Sequence, residues 1–174
     1  MRTACVVAVV ALLVVLGRFA YVAFTPAKAD HTELANVVRV LDGDTVIARV
    51  GSVDEHVRVI GVDTPEISHR GRPAQCYSLR AKRFVERTLT GHRVQLTRGR
   101  EQRDRYGRLL AYVRVEGASS DLESALLNGG FGRTLTFAPN DDRAAAYRSL
   151  ETRARARGAG LWGHCSQGVT PTGG

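Results

Sequence analysis

Cysteine is nearly absent from this 174-residue chain, which has three, at positions 5, 76 and 165. Cys5 lies in an N-terminal apolar run, so the rest of the chain keeps one pair, Cys76 and Cys165. With His164 beside Cys165 that is too sparse for a zinc site, which normally takes four ligands. The five histidines (His31, His56, His69, His92 and His164) show no ligand spacing either. Lysine is rarer still: only Lys28 and Lys82 occur, and arginine carries the remaining positive charge. Beyond residue 30 no apolar run is long enough for a membrane helix. No internal repeat is visible and no linker interrupts 36–165, which excludes repeat arrays and leaves one domain of about 145 residues, enough for a real core.

The N-terminus has its own pattern. Met1-Arg2 is basic, Cys5 to Leu16 is apolar, and Ala27-Lys28-Ala29 precedes Asp30. These are the three marks of a secretory signal peptide over 1–29. The alternative is an uncleaved membrane anchor, because residues 3–24 nearly match a bilayer span. Arg18 interrupts that span, and the Ala-x-Ala site favours cleavage. Either way the rest of the chain is expected to face outward, with 30–35 as a short linker and 166–174 as a disordered tail. In an oxidising compartment Cys76 and Cys165 could form a disulfide tying the first helix to the chain end. Two free thiols are the alternative, and spacing does not decide between them.

The full chain carries +8; residues 1–29 hold Arg2, Arg18, Lys28 and no acid, so the remainder keeps +5. That surplus favours polyanions such as nucleic acid. An arginine-loaded genome would produce part of it.

The chemistry concentrates in 42–66. Asp42-Gly43-Asp44-Thr45 opens the stretch; Val57 to Val62 and Asp63-Thr64-Pro65-Glu66 close it. Residues 46–50 and 57–62 read as paired strands, and that pairing brings Asp44 near Asp63. Two carboxylates with carbonyl oxygens make a hard-oxygen site suited to Ca²⁺. Arg58 adds an anion-binding cation, and Pro65 fixes the turn that holds Glu66. A metal, a cation and a spare carboxylate are the parts that phosphodiester hydrolysis needs. The plain alternative is structural, since Asp-Gly is a common hairpin turn and Asp-Thr-Pro a common strand exit.

Along the domain, Asn36 to Leu41 reads as a first strand, with 94–96 and Leu109 to Val115 as the fourth and fifth. Residues 67–75 and 98–108 read as loops, the second strongly basic, and Phe131 to Pro139 as a third loop. Tyr77, Ala81, Phe84, Val85 and Thr88 recur at helical spacing before Gly91. A Ser120–Glu123 capping box starts a second helix ending at Gly129-Gly130. Asn140 caps a third, with Ala144, Tyr147, Leu150 and Ala154 inward and Gly158 at its stop. Tyr147 and Trp162 read as core residues. Five strands with three α-helices imply an α+β fold, a small closed β-barrel of the five-stranded OB-fold type.

The order DGDT at 42–45, R-x-x-x-x-D-T-P-E at 58–66 and D-x-Y-G-R-x-L-A-Y at 104–112 resembles the staphylococcal nuclease (thermonuclease-like) family. The resemblance spans roughly 36–163, including Gly-Leu-Trp at 160–162. It implies an OB-fold barrel and a Ca²⁺-dependent phosphodiesterase, likewise acting on DNA and RNA with little sequence preference and leaving 3′-phosphates. Single-stranded or denatured substrates and a monomeric state are expected with it. Carried over by position, Asp44 and Asp63 resemble the Ca²⁺ carboxylates and Thr64 the backbone carbonyl ligand. Glu66 resembles the residue holding the attacking water, and Arg58 and Arg108 the arginines that grip the scissile phosphate. Arg105 and Tyr106 match contacts to a terminal phosphate. Counted back from Pro139-Asn140, the family's paired tyrosines fall at Leu135 and Phe137; a phenyl ring can still stack on a base, and leucine does so poorly. Arg98, Arg100, Arg103 and Arg105 read as a solvated phosphate-steering surface. The rival class is a non-catalytic OB-fold module binding single strands, which would not need Asp44, Asp63 and Glu66 in its groove.

Overall fold

The computed structural model describes residues 31–68 and 71–165. The expected signal segment, Asp30 of the expected linker and the C-terminal tail lie outside the described residues. Five strands close a barrel in the order β1-β2-β3-β6-β5, the OB-fold architecture. They are β1 (Thr32–Val40), β2 (Thr45–Val50), β3 (Val53–Val59), β5 (Arg93–Arg103) and β6 (Leu109–Val115). Two short strands, β4 (Gly61–Asp63) and β7 (Arg133–Leu135), form a separate antiparallel ribbon. The helices are α1 (Ser78–Leu89), α2 (Leu122–Gly129), α3 (Ala144–Ala156) and the single turn α4 (Leu161–His164). Among the described residues no helix is long and apolar enough to cross a membrane.

Side-chain alternation explains the closure. Val46, Ala48, Val57, Val59, Val94, Leu96, Leu109, Ala111 and Val113 are all buried inside the barrel, on every second position of their strands. The β2–β3 hairpin turns at Gly51, whose φ of 59° is the left-handed conformation such turns require. Its register pairs Thr45 with Arg58. The parallel β3–β6 ladder closes the barrel and sets Arg58 opposite Leu110. Outside, α1 buries Ala81, Val85 and Leu89, and α2 buries Leu122, Leu126 and Leu127.

Several boundaries differ from the sequence reading. Strand β1 begins at Thr32, so residues 32–35 belong to the barrel rather than to a linker. The strand expected over 57–62 breaks at Ile60, where Gly61 takes φ 84° and Tyr147 packs so close that a Cβ there would meet its ring at 2.5 Å. This break frees Gly61–Asp63 to leave the barrel and pair with β7, inside what reads as the 131–139 loop. The basic segment 98–108 is strand as far as Arg103. It is held by Asn140, whose amide accepts from Glu101 N–H at 3.0 Å and donates to Glu101 O at 2.9 Å. Asn140 therefore ties a strand and does not cap α3, which starts at Ala144 after Arg143. The expected capping box is absent too. Asp121 caps α2 by accepting from Ser124 N–H, while Glu123 turns inward and accepts from Val113 N–H at 3.0 Å. Tyr147 is core, 2% exposed; Trp162 is half-buried, with Arg133 and Arg155 stacked on its ring.

Candidate active site

Asp44 sits at the mouth of the barrel, where the β1–β2 turn enters β2. Gly43 is required there, because a Cβ would come within 2.7 Å of the Thr64 hydroxyl. The Asp44 carboxylate is 3% exposed. Its Oδ2 accepts from Thr64 N–H at 2.7 Å and from Thr64 Oγ1–H at 3.0 Å. Its Oδ1 accepts from Thr45 Oγ1–H at 3.1 Å, and its main-chain carbonyl accepts from Val59 N–H at 2.9 Å. These bonds link the turn to the chain beyond the Gly61 break, so Asp44 and Asp63 converge although one is on β2's entry and the other on β4.

Arg58 lies between them. Its Nη2 stands 3.4 Å from Asp63 Oδ1 and 3.6 Å from Asp44 Oδ2. Nη1 donates to the carbonyls of Val59 at 2.6 Å and Val62 at 2.8 Å, so the guanidinium is fixed in direction. Burial and the nearby Asp44 charge push Asp63 up to about 6, with Glu66 adding to the rise and Arg58 and Arg133 opposing it. Asp42 is pushed up to about 7, first by burial and then by Asp44 and Glu66. Asp42 and Asp63 thus each feel the Asp44 and Glu66 charges in a half-buried recess, which Arg58 and Arg133 offset only in part at Asp63. The sequence reading gave Asp42 no role, although it opens the same DGDT motif; its Oδ1 accepts from Asp44 N–H at 3.2 Å and shapes the turn.

The donor set suits a hard divalent cation: it is all oxygen, convergent, and short of positive charge. Among the described residues no three Asp, Glu, His or Cys side chains form a metal cage of their own. Asp44 and Asp63 would hold the ion with the Thr64 carbonyl, and water or substrate oxygens would complete the shell.

Glu66 is exposed and follows the buried Pro65. Its main chain is bonded at both ends to Gln75: Glu66 N–H donates to Gln75 Oε1 at 2.9 Å, and Gln75 N–H donates to Glu66 O at 2.9 Å. Arg108 immediately precedes β6, two residues before Leu110, the register partner of Arg58. Asp104 fixes it by accepting from its Nε–H at 2.6 Å and its N–H at 2.9 Å. Burial alone would raise Asp104, but the bonds from Arg108 hold its carboxyl below the usual range. The sequence reading gave no role to Asp104 or Gln75, which hold Arg108 and Glu66 by these hydrogen bonds; the first is visible in retrospect as the leading residue of D-x-Y-G-R.

A family model described as staphylococcal nuclease homologue matches residues 56–164. The chain belongs to the staphylococcal nuclease family. The thermonuclease of Staphylococcus intermedius is 34% identical over 161 residues, covering 90% of this chain and 95% of its own length. The thermonuclease of Staphylococcus hyicus is 32% identical over 159 residues, 88% and 93% of the two chains. Endonuclease YncB of Bacillus subtilis strain 168 is 32% identical over 142 residues, 79% and 66%.

In this member of the staphylococcal nuclease family Tyr106 reaches Arg108, whose guanidinium lies 5.5 Å over its ring. Arg105 donates to the Tyr106 hydroxyl at 2.7 Å and lies 4.8 Å over its ring; both stand exposed on the β5–β6 turn. Leu135 is half-buried in β7 opposite Gly61, whereas Phe137 is 67% exposed. The arginines expected to form a solvated steering surface are mostly engaged in long-range ion pairs. Arg98 binds Glu33, Arg100 binds Asp142 and Arg103 binds Glu55. They staple β5 to β1, to the segment before α3 and to β3, and among the described residues no carboxylate pairs with Arg105. Cys76 and Cys165 are joined by a disulfide with a Cα–Cα distance of 5.9 Å.

Proposed function

We propose that this nuclease homologue is an exported, Ca²⁺-dependent phosphodiesterase that hydrolyses DNA and RNA with little sequence preference and leaves 3′-phosphates. The observation that carries this reading is Arg58, whose one nitrogen lies within 3.6 Å of both Asp44 and Asp63. A cation site and an anion-binding arginine thus share one recess. A phosphate entering it would draw Arg58 by charge-assisted bonds from a planar fork that keeps its proton. Arg108, braced by Asp104 in the turn before β6, would add a second cation where negative charge grows in the transition state. Glu66 at the rim would hold or deprotonate the attacking water. Bound Ca²⁺ would polarise the phosphate and lower the pKa of a coordinated water. Exposed Phe137, with Arg105 and Tyr106, supplies stacking and phosphate contacts suited to single strands, and the protein acts as a monomer. Export agrees with the leader-like residues 1–29 and with a disulfide, which persists in oxidising compartments.

The test is digestion of heat-denatured DNA by purified protein with Ca²⁺ and with a chelator. Ca²⁺-dependent fragments with 3′-phosphate ends support the reading. Tight binding without cleavage would replace it with the single-strand-binding module.

A further inference from the structure

Gln75 lies nine residues beyond Glu66 in the chain and touches it twice. Its side-chain amide accepts the Glu66 N–H, and its own N–H reaches back to the Glu66 carbonyl. Together the two bonds hold the peptide units on both sides of the Glu66 Cα, as a strand pair would, in a segment outside any strand. The direction in which the Glu66 carboxylate leaves the chain follows from the orientation of those two peptides.

Gln75 has its own anchor. The next residue, Cys76, is covalently joined to Cys165, 89 residues away. Cys165 follows α4, whose Leu161 N–H donates to Gly130 O at 2.9 Å, so the disulfide connects to the packed part of the molecule. Tyr77, next along, takes φ 75°, a left-handed conformation that costs a bulky side chain strain. Ring contacts with Phe131 at 5.7 Å and His164 at 5.5 Å hold it there.

We propose that Gln75 is a positioning residue for Glu66 and that the Cys76–Cys165 disulfide is the anchor that keeps Gln75 in place. The role of Glu66 rests on the nuclease reading, whereas the clamp concerns only the backbone on either side of the Glu66 Cα. Loss of the amide acceptor lets the Glu66 peptide rotate and moves its carboxylate off line. Displacements of about 1 Å at a reacting group can cost on the order of 10²-fold in rate.

The test compares Gln75→Met, close in shape but lacking the acceptor, with Gln75→Glu, which retains one, and with the Cys76→Ser/Cys165→Ser pair. Two readouts are taken in the full protein: hydrogen exchange of the Glu66 amide, and kcat and KM on denatured DNA. Gln75→Met is expected to speed Glu66 exchange and lower kcat by about 10- to 100-fold with KM within about twofold. Gln75→Glu restores protection and most of the rate. The double serine variant shifts both readouts in the same direction as Gln75→Met, by a smaller factor. Unchanged Glu66 exchange and wild-type kcat in Gln75→Met overturn the clamp, and unchanged values in the serine pair overturn the anchor. If wild type does not cut nucleic acid at all, the nuclease reading fails, and the exchange data alone decide the clamp.

Discussion

Because Asp63 is pushed up to about 6 and Asp42 to about 7 by burial and mutual repulsion, a divalent ion must displace protons to enter the recess. At pH 5 Asp63 is protonated by about tenfold over its ionised form and Asp42 by about a hundredfold. An ion that needs only Asp63 ionised should bind about tenfold more weakly at pH 5 than at pH 8. If it also needs Asp42, the loss approaches 10³-fold, about 4 kcal/mol at 1.36 kcal/mol per unit. Stability runs the opposite way without metal. Both folded values exceed the ordinary 3.8, so this contribution is complete below about pH 4 and is lost as pH rises through 6 and 7, by up to about 1.4 kcal/mol per unit per group. Ca²⁺ should remove that loss. The assay is a Ca²⁺ titration at constant ionic strength, by calorimetry and by thermal shift, at pH 5, 6, 7 and 8. Affinities equal within about threefold across the series would refute the repulsive acid cluster.

Four further outcomes are expected. Arg58→Ala, Arg108→Ala and Glu66→Gln should each lower kcat on denatured DNA by about 10²–10³-fold, checked by initial rates at saturating substrate. Asp104→Asn should lower kcat through a loosened Arg108, by less than Arg108→Ala does, with thermal stability little changed. Glu123 is fully buried beside Asp121, with Oε2 unpartnered, and burial raises its pKa well above 4.5. Its stabilising share therefore declines as pH rises above about 4.5, so Glu123→Gln should gain on wild type from pH 5 to 8, read by denaturant melts. Replacing both disulfide cysteines with serine should cost about 2–4 kcal/mol of unfolding free energy, given the 89-residue separation.

The barrel was legible because Val57 and Val59, and Val94 and Leu96, alternate with polar neighbours and because Asp42-Gly43 marks a hairpin turn. Asp44, Arg58 and Asp63 were legible as a cluster because DGDT, Arg58 and DTPE lie on or beside β2, β3 and β4, which follow one another in the chain; Arg108 comes only after α1 and β5, and its motif D-x-Y-G-R marked it. What escaped depends on partners distant in sequence. Three residues, Arg133–Leu135, form β7 only because Gly61 breaks β3 and offers an edge. Asn140 looks like a helix cap until Glu101, 39 positions earlier, is seen to need its amide. Arg98, Arg100 and Arg103 look solvated because Glu33, Asp142 and Glu55 are far away in the chain. The Gln75 clamp left no signature, since a single glutamine beside a cysteine has no period and no motif.

The most direct measurement is a structure determined with Ca²⁺ and a nucleoside bisphosphate bound. An ion is expected at about 2.3–2.6 Å from oxygens of Asp44, Asp63 and Thr64. One phosphate should be contacted by both Arg58 and Arg108, with Glu66 facing its phosphorus through a water. An ion held elsewhere, or a phosphate that meets only one of the two arginines, would contradict this arrangement.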